Sequence, residues 1–140
     1  AGIPDTTMYN RAEHIVTDLE AGHLVTDVQP DLRTVFRASV QPYLVSWLPL
    51  DPAALVAKLT VPVLLIQGTN DLQIKVTDAQ ALAHANPKAK LVVVEGMNHV
   101  LKEAAAERDK NIATYTDPSL PVVPRVIQEI SGFINGLQMK

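Results

Sequence analysis

At 140 residues and 47% hydrophobic content, the chain is the size of one domain with a core of its own and too short for two of ordinary size. Twelve basic and fifteen acidic residues are scattered along it for a net charge of −3, so no concentrated positive field is there to attract nucleic acid or anionic lipid. The absence of cysteine excludes disulfides, thiol nucleophiles and thiolate metal sites and leaves the cellular compartment open. No apolar run approaches the roughly 18 residues of a membrane span, and "AGIPDTTMYNRAEH" lacks the basic start and apolar stretch of a signal peptide. A soluble chain with neither nucleic acid nor membrane as partner is therefore expected.

Met8, Ala12, Ile15 and Leu19 recur at helical spacing and Gly22 follows as a stop, which predicts an amphipathic helix over 6–21. Pro30, Pro42 and Pro49 then allow only short helices, since each suits a first turn or a break. In "DPAALVAKL", 51–59, Asp51 is placed as a cap and Pro52 at the first helical position. "VPVLLIQG", 61–68, is a continuous β-branched-rich run, the pattern of a strand covered on both faces, and "KLVVVEG", 90–96, repeats it. Between them Thr77, with Gln80 three residues on, reads as the cap of a helix that stops at Asn86-Pro87. Strand, helix and strand at this spacing predict a βαβ unit with adjacent parallel strands and a right-handed crossover. After a helix-and-loop excursion in "KEAAAERDKNIATYTD", a last helix over 121–137 carries Val123, Ile127, Ile130, Ile134 and Leu137 on one face, expected to cover the sheet.

Each strand ends in a glycine, Gly68 or Gly96, and each glycine is followed three positions later by a titratable side chain, Asp71 or His99. In open parallel sheets the loops beyond the carboxyl ends of the strands form the ligand crevice. Neighbouring strands lie about 4.8 Å apart, so an aspartate and a histidine at matched height can hydrogen-bond. Such a carboxylate fixes the imidazole tautomer and stabilises the imidazolium, leaving the other ring nitrogen to take a proton. Taken singly, either residue would pass for an ordinary turn former; the matched spacing makes the pair a catalytic candidate. His14, His23 and His84 have no partners at metal spacing and are expected at the surface or an interface. No metal and no cofactor are expected.

These segments resemble the carboxyl-terminal part of an α/β-hydrolase. "VPVLLIQGTNDLQI" is similar to the strand that carries the triad acid, "LVVVEGMNHV" to the last strand with the triad histidine, and "SLPVVPRVIQEISGFI" to the closing helix. The resemblance covers about 51–140, with 1–50 similar in character to the helical lid, and its flavour is that of lid-bearing esterases and aminopeptidase-like serine hydrolases. It implies an α/β fold, a small ester or amide substrate, Asp71 as orienting acid and His99 as general base. The family also requires a G-x-S-x-G elbow, and "RASVQ", "LVSWL", "DPSLP" and "EISGF" all lack it; no G-x-D-x-G substitutes. The expectation is a fragment of a longer enzyme, inactive alone, with no nucleophile, that self-associates or pairs with its missing amino-terminal half. An aspartate nucleophile, as in dehalogenase and epoxide-hydrolase relatives, is a variant, and a non-catalytic dimerisation module is an alternative from another class. Tyr43, Trp47, Leu48 and Gln73 are candidate substrate linings, with ordinary packing of the lid segment as the competing explanation.

Overall fold

Helix α1, Thr6–Glu20, forms where the apolar spacing predicts it and buries Ile15 and Leu19. It ends in a two-bond αL cap: Gly22 has φ +84°, its N–H donates to the Leu19 carbonyl, and the His23 N–H reaches back to the Asp18 carbonyl at 2.8 Å. Met8, counted on the apolar face from sequence, is exposed in the first turn. The computed structural model describes residues 6–138, and the chain divides into two compact units, Ala1–Asp51 and Pro52–Lys140.

In the first unit the prolines set the helix lengths. Pro30 opens a 3₁₀ turn, Pro30–Leu32, that runs into α2, Arg33–Phe36; Pro42 sits in the first turn of α3, Gln41–Trp47. Ile15, Leu19, Val28, Leu32, Phe36 and Leu44 form its core. At about 1.5–3 kcal/mol for each fully buried large apolar side chain, this cluster outweighs the weak intrinsic stability of four- and seven-residue helices. Gln41 is buried at its edge, its Oε1 accepting from the Val25 N–H and its Nε2 donating to the Val25 and Phe36 carbonyls, each at 2.8 Å.

The second unit is mixed helix and strand. Helix α4, Pro52–Ala57, precedes strand β1, Leu64–Gly68; helix α5, Val76–Ala85, leads to strand β2, Lys90–Val94. The strands are adjacent and parallel, with Leu64 opposite Lys90 and Gly68 opposite Val94. Strand β1 is shorter than its apolar run because β2 begins at Lys90, whose N–H takes the Val63 carbonyl, and Pro62 has no N–H to offer. Helix α5 starts earlier than Thr77: Lys75 is the cap, and Asp78 accepts from its backbone N–H at 2.9 Å. At the other end Asn86 caps α5 and its side-chain amide donates to the Val56 carbonyl of α4 at 3.1 Å.

Helix α6, Arg108–Ala113, occupies the excursion after His99, and α7, Pro124–Gln138, closes the chain. Leu64, Ile66, Val92 and Val94 gather with Met97 and with Val123 and Val126 at the start of α7. Leu65, Leu91 and Val93 alternate onto the other face and are only half-buried, so the strands are less completely covered than their composition predicts. The expected apolar face of α7 is corrected as well. Its inward stripe runs through Val126 to the half-buried Glu129 and Phe133, whereas Ile127, 59% exposed, Ile130, Ile134 and Leu137 face outward. One residue rotates a helix by about 100°, and a two-stranded sheet is too narrow to cover both apolar stripes. Glu129 on the inward stripe binds Lys90 Nζ at 2.7 Å, linking α7 to the start of β2. Among the described residues no helix is long and apolar enough to cross a membrane.

Candidate functional site

The two loops beyond the strands are bonded to each other before they reach their titratable residues. A Cβ on Gly68 would lie 2.0 Å from the Met97 carbonyl oxygen, so only glycine lets β1 end this close to the other loop. The Thr69 N–H donates to the Val94 carbonyl at 3.1 Å and the Asn70 N–H to the Met97 carbonyl at 3.0 Å, extending the parallel ladder past Gly68. In return the Gly96 N–H donates to Thr69 Oγ1 at 2.9 Å, and Gly96 adopts φ +71°, which favours glycine. The register sets Gly68 opposite Val94, so the two glycines are offset by two residues and not level as the equal spacing predicts; the bonds between the loops bring Asp71 and His99 together.

His99 Nδ1 lies 3.0 Å from Asp71 Oδ2. The Asp71 side chain is 7% exposed and the imidazole 39%, so a hidden carboxylate adjoins an accessible imidazole. Asp71 Oδ1 accepts from the Gln73 N–H at 2.8 Å and the Ile74 N–H at 3.0 Å, closing the loop as an Asx turn. Gln67 Nε2, from inside β1, stands 3.2 Å from Oδ2 and also meets the Gly68 and Ile74 carbonyls. Burial pushes the Asp71 carboxyl upward, but the bonds from Ile74, Gln73, His99 and Gln67 together outweigh it and hold the group below its ordinary range. An ionised carboxylate only accepts, which places the proton of a neutral His99 on Nδ1 and leaves Nε2 with its lone pair.

A buried amide network fixes both loops from behind. Asn70 directly precedes Asp71 and Asn98 directly precedes His99. Asn98, fully buried, donates from Nδ2 to Thr114 Oγ1 at 2.7 Å and Asn111 Oδ1 at 3.2 Å, and its Oδ1 accepts the Val100 and Lys102 N–H groups. Asn111, equally buried on α6, donates to the Asn70 carbonyl at 2.8 Å and the Ala105 carbonyl at 3.0 Å, while Asn70 Nδ2 reaches the Ala104 carbonyl at 2.7 Å. The chain turns sharply beyond His99 at Leu101, whose φ of 62° is strained for a branched side chain; the Val123 N–H bonds its carbonyl at 2.8 Å. Lys102 Nζ then caps the carbonyls of Thr114 and Asp117 just past α6.

Sequence reasoning missed Asn98, Asn111 and Gln67. The available signal was an asparagine immediately before each member of the pair, in "TND" and "MNH".

Of the predicted site residues, Asp71 and His99 are brought together. Gln73 takes part through its backbone N–H; its side chain is exposed and lines a cleft of about 290 Å³ with Leu72, Arg108, Ile112 and Tyr115. Tyr43 and Trp47 are exposed on α3 with ring centroids 6.1 Å apart, and Leu48 packs on the core of the first unit. His14, His23 and His84 are exposed. Among the described residues no group of His, Asp or Glu is placed to hold a metal, and no hydroxyl hydrogen-bonds to His99 Nε2. Compared with protein-family models and with curated proteins, the chain finds no match.

Proposed function

We propose that Asp71 and His99 are the acid–base relay of a hydrolase acting on a small ester or amide, in a carboxyl-terminal α/β-hydrolase portion with 1–50 as its lid segment. The observation that carries this reading is the 3.0 Å contact between a hidden carboxylate and an accessible imidazole at the carboxyl ends of two neighbouring parallel strands. The order strand, acid, helix, strand, histidine, helix supports it further.

In this mechanism His99 Nε2 takes the proton of an attacking hydroxyl as the tetrahedral intermediate forms, then returns it to the leaving alcohol or amine. Asp71 keeps the Nδ1–H in place and balances the imidazolium. General acid–base catalysis of this kind contributes about 10²–10⁴-fold. The nucleophile and the donors for the oxyanion come from polypeptide outside these 140 residues, so the chain alone turns nothing over. A serine on a strand-to-helix elbow is the proposed nucleophile; an aspartate would place the protein among enzymes that form an alkyl-ester intermediate.

The test uses a polypeptide that carries this chain together with the sequence encoded upstream of it. A serine-directed fluorophosphonate is expected to label it, and His99→Ala is expected to abolish ester turnover; retained turnover rejects the assignment. The outward row Ile127, Ile130, Ile134 and Leu137 favours a second reading, in which the chain is a pairing module without catalysis. Full activity of the longer polypeptide as a monomer would reject that role.

A further inference from the structure

The cleft beside the relay has a charge arrangement that the relay does not use. Its walls are Leu72 and Gln73, the two residues after Asp71, and Arg108, Ile112 and Tyr115 of α6 and its last turn. The 108, 112, 115 spacing sets the last three on one helical face, and the Tyr115 N–H continues the turn onto the Ile112 carbonyl at 3.0 Å. Asn111, between them, bonds both asparagines that precede the relay residues, so this face is held at a fixed place relative to Asp71.

Arg108 is the charged side chain of the cleft. Arg11 is paired with Asp31, Arg33 and Arg37 donate to backbone carbonyls, and Arg125 meets Glu129. The Arg108 side chain alone among those of the arginines makes no ion pair or hydrogen bond with any described residue. Its sequence neighbour Glu107 is engaged by Lys110 at 2.7 Å. Asp71, the acid nearest in the loop, has its carboxylate oxygens taken by Gln67, Gln73, Ile74 and His99. A guanidinium with its fork unpaired, in a cleft also lined by Leu72, Ile112 and Tyr115, is matched to a planar carboxylate on a short apolar stem. A volume of about 290 Å³ suits a stem of a few carbons.

We propose that Arg108 is the anchor of a carboxylate-binding subsite, and that the esters or amides processed at His99 carry a free carboxylate at the end of a short aliphatic chain. The substrate assignment rests on the reading of Asp71 and His99 as a relay; the anion site itself does not.

The experiment is an amide chemical-shift titration of the 140-residue chain with monomethyl glutarate, with dimethyl glutarate as the uncharged control. Saturable shifts at Gln73, Ile112 and Tyr115 are expected for the monoanion, with affinity for the diester roughly tenfold lower or worse, the loss of one charge-assisted contact. Arg108→Gln should bring the two ligands level, and Arg108→Lys, which keeps the charge and loses the fork, should retain part of the preference. Equal binding of both ligands to the unmodified chain, no binding of the monoanion, or a preference that survives Arg108→Gln would overturn the subsite. Because the readout is binding and not turnover, anion selectivity together with ester turnover that survives His99→Ala in the longer polypeptide would remove the relay and leave the subsite standing.

Discussion

The two units solve the problem of ordering a short chain in different ways. The first gathers Ile15, Leu19, Val28, Leu32, Phe36 and Leu44 into an apolar core and buries one polar side chain, Gln41, against backbone groups. The second has a smaller apolar cluster of Val92, Val94, Met97 and Val126, and it buries Gln67, Asn86, Asn98 and Asn111. Three of those four amides touch the loops that carry Asp71 and His99. Apolar packing tolerates small displacements, whereas a hydrogen bond fails beyond a few tenths of an ångström. Polar burial is thus concentrated where two side chains must be held in one geometry.

The comparison can be broken most forcefully at the contact between the loops. Gly68→Ala drives a methyl into the Met97 carbonyl and is expected to cost on the order of 3 kcal/mol, read as a lower urea midpoint for the second unit. Leu19→Ala, a cavity in the first unit, should cost about 2–5 kcal/mol while leaving the amide resonances of Asp71 and His99 in place. If Leu19→Ala moves them as far as Gly68→Ala does, the division of labour is wrong.

A second pair sharpens the same point. Asn111→Ala strands the Asn70 and Ala105 carbonyls and leaves Asn98 Nδ2 only Thr114, and Gln41→Ala strands the Val25 N–H and the Phe36 carbonyl. Each should lose about 1–3 kcal/mol in chemical denaturation. Only Asn111→Ala is expected to perturb the His99 ring resonances.

Acid provides the third contrast. The Asp71 carboxyl titrates below its ordinary range when folded, so its contribution to stability is complete above the unfolded value and disappears as pH falls through the folded one. Urea midpoints measured from neutral pH down through the carboxylate range should therefore decline less steeply for Asp71→Asn than for the unmodified chain. Identical slopes would mean that the hydrogen bonds to Asp71 do not favour its ionised form. The smallest effect belongs to Lys90→Ala, where loss of a solvent-screened ion pair with Glu129 is expected to leave the urea midpoint nearly unchanged.

Much of this architecture was legible in the sequence because local rules and tertiary needs agree there. The glycine stop of α1, the proline-limited helices and the strand, helix, strand order all follow from backbone chemistry, and equal offsets after Gly68 and Gly96 pointed to the Asp71–His99 pair, although the register sets Gly68 opposite Val94 and the two do not leave the strands level. What stayed hidden depended on contacts distant in sequence. Asn98 and Asn111 look like solvated loop and helix residues until α6 folds against both loops, since an asparagine in a turn carries no sign of whether its amide faces water. Helix α7 has one apolar line through Val126 and another through Ile127 and Ile130, and periodicity cannot choose between them. The cap at Lys75 was obscured because Thr77 and Gln80 make an equally good local pattern, and the Asp78 carboxylate decided the outcome.

The proposed relay is tested most directly by long-range proton–nitrogen correlation of the His99 ring at a pH where the imidazole is neutral. The proton is expected on Nδ1, held by the Asp71 carboxylate, and Asp71→Asn should shift the ring toward the Nε2–H form. A ring found mainly as Nε2–H in the unmodified chain, or one indifferent to Asp71→Asn, would contradict a relay that leaves Nε2 free to accept a proton.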